Sequence, residues 1–516
     1  MKDSDKNWLH AQIPFPRPEY PKQMEALLTD LLWRSEGSSL SREPEGGLFG
    51  LLSGLRQGGS ARSGPDPERL IPQKRPGGSS RLFETFLLAK SADLSGMMSG
   101  TNVAEFPTAA LLDSALAPRA RGDKADACVP IHPSLVALQT LHGLVNKESP
   151  ANLALAIETM GWLGGSASPG SVASSFLTPF TDLAGPRDGF SGLIENAYSH
   201  IAAKVWAGLP ESFAADSATW PVWPGIVPAT ALSGGVALLA ACEPTPFRWF
   251  WRKWRTLCSP ERAWQKNLPT RRFVDWTMCL LRTGLAFSYL WEAEFFCRLH
   301  ECVSIRRQSS SAPTAVNRIR TLLMDGAVLG VFESTAVPAS EKAIWPATSE
   351  LLARGYEARR RIYAALDGNT NSPNGSTTLE ILENWLISLS DTQLAEIAAP
   401  LQTQPRTANN QKEFVRYLLL PRSSDDDAVD QADFYYLART NSRHVWFHPG
   451  PEWLVVLTSL LGQNPGGQCT LGMVIDDLAC LGLRAERSVL VGLLEEAGLT
   501  TDSPDADNAL VIHSGF

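Results

Sequence analysis

The fold is centred on the stretch Phe247-Arg248-Trp249-Phe250-Trp251-Arg252-Lys253-Trp254-Arg255, in which every side chain is either aromatic or cationic. A helix advances about 100° per residue, so a helical stretch would carry two distinct faces. One face would present Arg248, Arg252 and Arg255. The other would hold the aromatic residues Phe247, Phe250, Trp251 and Trp254. This separation predicts a helix that anchors its rings in a core and exposes its cations.

Basic residues continue beyond this stretch, and only Glu261 opposes them between positions 248 and 272. Cations on one surface give salt-dependent affinity for phosphate. Because the aromatic rings face inward, we expect contact with the nucleic-acid backbone and no stacking on bases. The predicted nucleic-acid-binding residues are Arg248, Arg252, Lys253, Arg255, Arg262, Lys266, Arg271 and Arg272.

A long apolar-periodic segment follows, from Thr270 to about Cys302. Its large side chains recur at helical spacing and predict one long helix with a wide buried stripe: Phe273, Trp276, Leu280, Phe287, Trp291 and Phe295. Arg282 and Glu292 fall within this apolar helix. Burial of either charge would require a partner, which leaves an ion pair or a ligand contact open.

The remaining sequence predicts a mainly α, multi-domain protein with long Gly-, Pro- and Ser-rich loops, without a regular succession of strands. Ser149-Pro150 marks a helix start ahead of Ala151–Leu163. The predicted domains are an extended Pro-rich arm, a short helix and a flexible loop over 1–80, a helical domain over 81–228, a basic helical domain over 229–366, a small helical unit over 376–420, and a last domain over 433–516.

Charge is distributed unevenly around a net value of −8. Residues 244–363 hold 19 Lys and Arg against 10 Asp and Glu, whereas residues 446–516 hold nine acids and two arginines. This asymmetry favours different partners for the two regions. The polar N-terminus and the absence of a long apolar run predict a cytoplasmic protein without a membrane partner. Eight dispersed cysteines agree with a reducing compartment.

The last 70 residues show three helical segments, near 452–461, 470–481 and 485–497, followed by a turn and a strand over 509–512. This order resembles a winged helix-turn-helix over about 446–516. The resemblance implies DNA binding, but the third helix and the following turn are acidic and would repel phosphate. We therefore predict a protein-docking module whose partner-docking residues are Glu486, Glu495 and Glu496.

No motif for catalysis, nucleotide binding or a cofactor is present. Cys297, His300 and Cys302 lie close in sequence, with Cys258 and Cys279 upstream, but their spacing does not match a zinc site. His444 and His448 are four positions apart, yet Pro449 follows at once. We interpret the cysteines as core residues and predict no metal, no cofactor and no catalytic residue.

We expect a non-catalytic subunit of a bacterial nucleic-acid-handling complex, in which the basic centre contacts DNA or RNA and the acidic module docks another subunit. In its general build the chain is similar to accessory proteins of bacterial antiphage defence systems. Two alternatives remain open. One is a scaffold or adaptor that does not bind nucleic acid. The other is an enzyme with a site near Arg282, Glu292 and His300.

Overall fold

The structure, a computed structural model, describes residues 151–166, 244–308, 328–366, 378–421, 434–500 and 510–516, with Trp8, Leu9, Phe15, Leu27, Ser171, Val172, Ser175 and Phe176. Within this described part 64% of residues are helical, which confirms the mainly α prediction. Most of the arm, short helix and flexible loop predicted over 1–80, and most of the helical domain predicted over 81–228, lie outside the described residues.

Eleven helices are described. They are α1 (Ala151–Leu163), α2 (Pro246–Cys258), α3 (Trp264–Asn267), α4 (Thr270–Gln308), α5 (Trp345–Ala365), α6 (Thr378–Ser388), α7 (Asp391–Ile397), α8 (Asn409–Leu419), α9 (Pro451–Leu461), α10 (Leu471–Cys480) and α11 (Arg487–Glu496). The bounds of α1 match the predicted segment, and α4 starts at the predicted Thr270.

Six short strands form three two-stranded sheets in the described part: β1 (Gly330–Phe332), β2 (Ala438–Thr440), β3 (Val445–Phe447), β4 (Gln468–Thr470), β5 (Leu483–Ala485) and β6 (Val511–His513). The pairs β2–β3 and β4–β6 are antiparallel, whereas β1 and β5 are parallel. The parallel pair joins two regions that the sequence had placed in separate domains.

The long helix α4 lies at the centre of the core, and α2, α5, α7, α8 and α9 pack around it. Its predicted aromatic stripe is buried, except that Trp291 is half-buried. Trp291 contacts Phe247 of α2 and Phe295 of α4, with ring centroids 5.5 Å apart in each case. The stripe is therefore core, as the spacing predicted.

Helices α4 and α5 approach each other closely at Gly355. A Cβ added there would lie 2.5 Å from the Ala293 Cα atom. The small side chains at these two positions therefore allow the two backbones to meet, and a larger residue at position 355 would push the helices apart.

Residues of the N-terminal segment are buried in this core. The Phe15 ring lies 5.7 Å from Phe247 and 4.4 Å from Tyr289, and its carbonyl oxygen accepts from Arg359. Trp8 and Leu9 are buried and helical, which corrects the prediction of an arm extended throughout. They precede the first proline, Pro14, so their backbone is free to adopt helical angles.

The chain divides into two compact units. The first comprises Met1–Tyr20, Leu155–Val172 and Pro224–Phe516, and the second comprises Pro21–Ala154 and Ala173–Trp223. Only a few described residues fall in the second unit. The predicted boundaries near 366–376 and 420–433 lie inside the first unit.

Candidate nucleic-acid interface

Helix α2 begins at a strong sequence signal. The Thr245 hydroxyl accepts from the Arg248 backbone N–H, and Pro246 occupies the first helical position. The helix ends at Cys258, where Ser259 turns to extended backbone angles ahead of Pro260. These residues fix where the arginines of α2 lie on the helix surface.

The aromatic side of α2 is buried against the rest of the unit. Phe247, Trp249, Phe250 and Trp254 are each at most 2% exposed. The Trp254 indole N–H donates to the Val172 carbonyl over 3.1 Å. The sequence analysis assigned Trp249 to neither face of α2. Trp249 is buried, and its indole N–H donates to a carboxylate oxygen of Asp477 over 2.7 Å.

Three arginines of α2 are exposed: Arg248, Arg252 and Arg255. At 100° per residue they lie within about 60° of one another around the helix, and at 1.5 Å per residue the row spans about 10 Å. The structure thus places these residues on the solvent side, where the helical spacing predicted them.

The middle arginine of this row is also tied to α10. An Arg252 guanidinium nitrogen lies 3.6 Å from Asp477 Oδ1 and donates to Cys480 Sγ over 3.3 Å. About half of its side chain, 52%, stays exposed. Arg252 is therefore positioned by α10 while its charge still faces solvent.

Lys253, predicted to contact nucleic acid, is buried. Its side chain is only 4% exposed, and its ammonium lies 3.0 Å from Asp477 Oδ2. Burial lowers the pKa of Lys253, and the neighbouring Asp477 carboxylate partly opposes that shift. Because Lys253 lies on the inward side of α2 beside Trp249, its charge serves the interior and does not reach a ligand at the surface.

The four remaining predicted cations differ in their surroundings. Lys266 is exposed and Arg262 is half-buried, whereas the side chain of Arg271 lies outside the described residues. Arg272 lies 2.6 Å from a Glu452 carboxylate oxygen and donates to the Tyr435 hydroxyl over 3.0 Å. Glu452 raises the pKa of Arg272. Arg272 thus forms an intramolecular bridge to α9, and 38% of its side chain remains exposed.

The predicted docking residues lie at the two ends of α11. Glu486 precedes the helix, Glu495 and Glu496 occupy its last turn, and all three are exposed. No basic residue lies in that last turn. Carboxylates at a helix C-terminus interact unfavourably with the helix dipole, so Glu495 and Glu496 do not stabilise α11.

The residues of the enzyme alternative do not form one site. Arg282 donates to the carbonyls of Leu418 and Leu420 at the end of α8, and Glu292 lies 2.7 Å from Arg359. His300 contacts the Ala399 carbonyl over 3.2 Å. At 1.5 Å per residue along α4, Arg282 lies about 15 Å from Glu292, and Glu292 lies about 12 Å from His300. Each side chain joins α4 to a different neighbour.

The described residues contain no group of three or more His, Cys, Asp or Glu that could hold a metal ion. Cys258, Cys279 and Cys302 are buried. Burial raises the pKa of Cys297 to about 12, which disfavours the thiolate form that binds metals. His444 is half-buried, and burial lowers the pKa of His448.

The sequence reasoning missed Asp477, the carboxylate that contacts three residues of α2. A signal was available, because Leu471, Val474 and Leu478 define the apolar face of α10 and Asp477 lies beside it at helical spacing. Asp476 falls on the opposite, exposed side. The sequence does not show which residues contact Asp477.

No family model, curated protein or solved structure matches this chain. In the part of the chain that the structure describes, no helix combines the length and the apolar character needed to cross a bilayer.

Proposed function

We propose that this protein is a non-catalytic subunit of a bacterial nucleic-acid-handling complex, in which α2 contacts the phosphate backbone of DNA or RNA. The observation that carries the proposal is the exposed row of Arg248, Arg252 and Arg255 on a helix whose opposite side is anchored in the core. Lys266 and the half-buried Arg262 extend the basic surface toward α3.

The expected binding energy is electrostatic. Each phosphate neutralised by Lys or Arg releases counterions, so affinity falls steeply as salt rises. With about four cations engaged, the logarithm of the association constant would fall with a slope of about −3 to −4 against the logarithm of salt concentration. Such contacts are independent of sequence, because they reach no base edge.

The C-terminal region supports the second part of the proposal, a module that docks a protein. Its order, α9, β4, α10, β5, α11 and β6 with β4 paired antiparallel to β6, is compatible with the winged-helix-like module expected from the sequence. Exposed glutamates at both ends of α11 would repel phosphate. They suit a basic surface on another subunit of the complex, for example in an antiphage defence system.

Fluorescence anisotropy with a labelled oligonucleotide at several salt concentrations tests the nucleic-acid proposal. We expect Arg248→Glu with Arg255→Glu to weaken binding at least tenfold and to reduce the salt slope by about 2. A matched control is Arg484→Glu with Arg487→Glu, which makes the same charge change at two exposed positions near α11. The control should bind nearly as well as the original protein.

The outcomes separate the alternatives. Loss of binding in the control variant alone would move the nucleic-acid site to the C-terminal module. If the protein binds no nucleic acid at low salt, the scaffold alternative remains, in which the arginine row of α2 binds an acidic protein. Exposed arginines serve either ligand, and the absence of base-reading or catalytic geometry at this face agrees with both.

A further inference from the structure

Resting on the proposed function, we infer that the preferred ligand of α2 is double-stranded, and that α2 follows the phosphates of one strand of the duplex. Three features of α2 carry this inference: the position of its aromatic rings, the anchoring of the helix itself, and the length of its arginine row.

The tryptophans of the basic region other than Trp251 are buried and are not available for stacking. Proteins that bind single strands without sequence preference stack successive bases on exposed aromatic side chains. Here Trp249, Trp254, Trp264 and Trp276 are all at most 2% exposed. Among the described residues, the aromatic side chains with large exposure are Phe434 and Phe516, and neither belongs to α2 or α3.

The half-buried Trp251 is held against α1. A Cβ added at Gly164 would lie 2.7 Å from Trp251 Cβ, and a Cβ added at Gly161 would lie 3.7 Å from Trp251 Cε3. The side chain therefore packs against Gly161 of α1 and against Gly164, which follows α1, although Trp251 lies one helical turn from Arg248 and Arg255. Because Trp251 is half-buried against these glycines, a single strand would gain mainly phosphate contacts at this surface.

The helix that carries the arginine row is held in place on several sides. The Thr245 cap fixes its start, the bond from Trp254 to Val172 fixes one side, and Lys253 and Trp249 fix the other side through Asp477. Arg252 itself is held by Asp477 and Cys480. A prepositioned row loses little conformational entropy when its ligand is equally rigid, whereas a flexible single strand would have to be ordered to match it.

The length of the row agrees with a duplex. A row of about 10 Å spans on the order of two to three successive phosphates of one strand. Duplex phosphates are held at a fixed separation and at higher charge density than those of a single strand. The geometry thus favours the duplex by charge density and by preorganisation together.

The test compares one labelled 20-mer single strand with its DNA and RNA duplexes, by anisotropy with the full chain at matched salt. We expect at least one duplex to bind tenfold or more tightly than the single strand and to show the steeper salt slope. The variant Trp251→Phe, which keeps a ring over α1, should leave single-strand affinity unchanged, and circular dichroism verifies its fold.

Equal or tighter binding of the single strand would overturn the inference while leaving the proposed function standing. A fall in single-strand affinity on Trp251→Phe would likewise overturn it, since that would show stacking. If neither single strand nor duplex binds at low salt, the proposed function itself fails, and the inference fails with it.

Discussion

Lys253 of α2 and Asp477 of α10 form a buried ion pair, with Nζ 3.0 Å from Oδ2. The same carboxylate accepts from the Trp249 indole and lies 3.6 Å from Arg252. One acidic side chain of the C-terminal region therefore contacts three residues of the helix that carries the candidate interface. The basic centre and the acidic end, expected as separate domains, are joined at this residue.

Removing the carboxylate should destabilise the protein strongly. Asp477→Ala leaves the Lys253 charge buried without a partner, so we expect the free energy of unfolding to fall by about 3–5 kcal/mol. Urea denaturation followed by circular dichroism measures the change. Asp476→Ala, at the exposed neighbouring position, is the control and should change stability by less than about 0.5 kcal/mol.

Replacing the pair by apolar residues, Lys253→Met with Asp477→Leu, should recover part of that loss, because no buried charge is left unpaired although the Trp249 indole N–H still loses its acceptor. A single Asp477→Ala variant as stable as the Asp476→Ala control would contradict the importance of the pair.

The buried Phe15 should be needed for stability. Its ring is 0% exposed and contacts Phe247 and Tyr289. Phe15→Ala creates a cavity and should cost about 3–5 kcal/mol of unfolding free energy, whereas Phe15→Leu should cost less than about 1.5 kcal/mol. Thermal and urea unfolding of both variants test this expectation. Equal stability of the two would show that the N-terminal segment does not fill the core.

Two glycines in helices should respond oppositely to the same substitution. Gly355→Ala introduces a methyl group 2.5 Å from Ala293 Cα and should destabilise by about 1–3 kcal/mol despite the better helix propensity of alanine. Gly492→Ala in α11 meets no atom within 4 Å and should stabilise by about 0.5–1 kcal/mol. Unfolding midpoints of the two variants, measured side by side, test the close approach of α4 and α5. A gain of stability at both positions would contradict it.

His300 should make stability fall as the solution becomes acidic. Burial lowers the pKa of His300 below its ordinary value of 6.5, and Arg361 and Arg354 act in the same direction. The unfolded chain therefore binds the proton more readily, and stability present above about pH 6.5 is lost as the pH decreases below that value. The test is the unfolding midpoint between pH 8 and pH 5.

The variant His300→Gln keeps a donor for the Ala399 carbonyl but does not titrate. It should lose less stability than the original protein over the same pH interval. Burial also lowers the pKa of His448, and the difference between the two proteins separates the effect of His300 from that of His448. Identical pH profiles for the two proteins would exclude a contribution from His300.

Much of the local structure was predictable from the sequence. Ser149-Pro150 and the apolar spacing predicted α1 at its observed bounds, and aromatic residues at helical intervals predicted α4 as the core helix. The arginine row of α2 also followed from spacing alone, because helical geometry places residues three, four and seven positions apart on one side. Local patterns of this kind depend on neighbours within a few turns.

The strands and the buried charges were not predictable in this way. The parallel pairing of β1 with β5 involves two three-residue segments from distant parts of the chain. Neither segment is long enough to show a strand period. Helical spacing sets Lys253 apart from the arginine row, but its partner Asp477 comes from α10 and is known only from the packing of the two helices.

The sequence by itself thus determined the helices, their apolar faces and the exposed arginine row. The tertiary structure decided the partners of the other charges: Lys253 is buried against Asp477, and Arg272, with 38% of its side chain exposed, bridges to Glu452. The physical reason is that helical periodicity acts over a few residues, whereas the burial of a charge depends on the partner that folding brings to it from elsewhere in the chain.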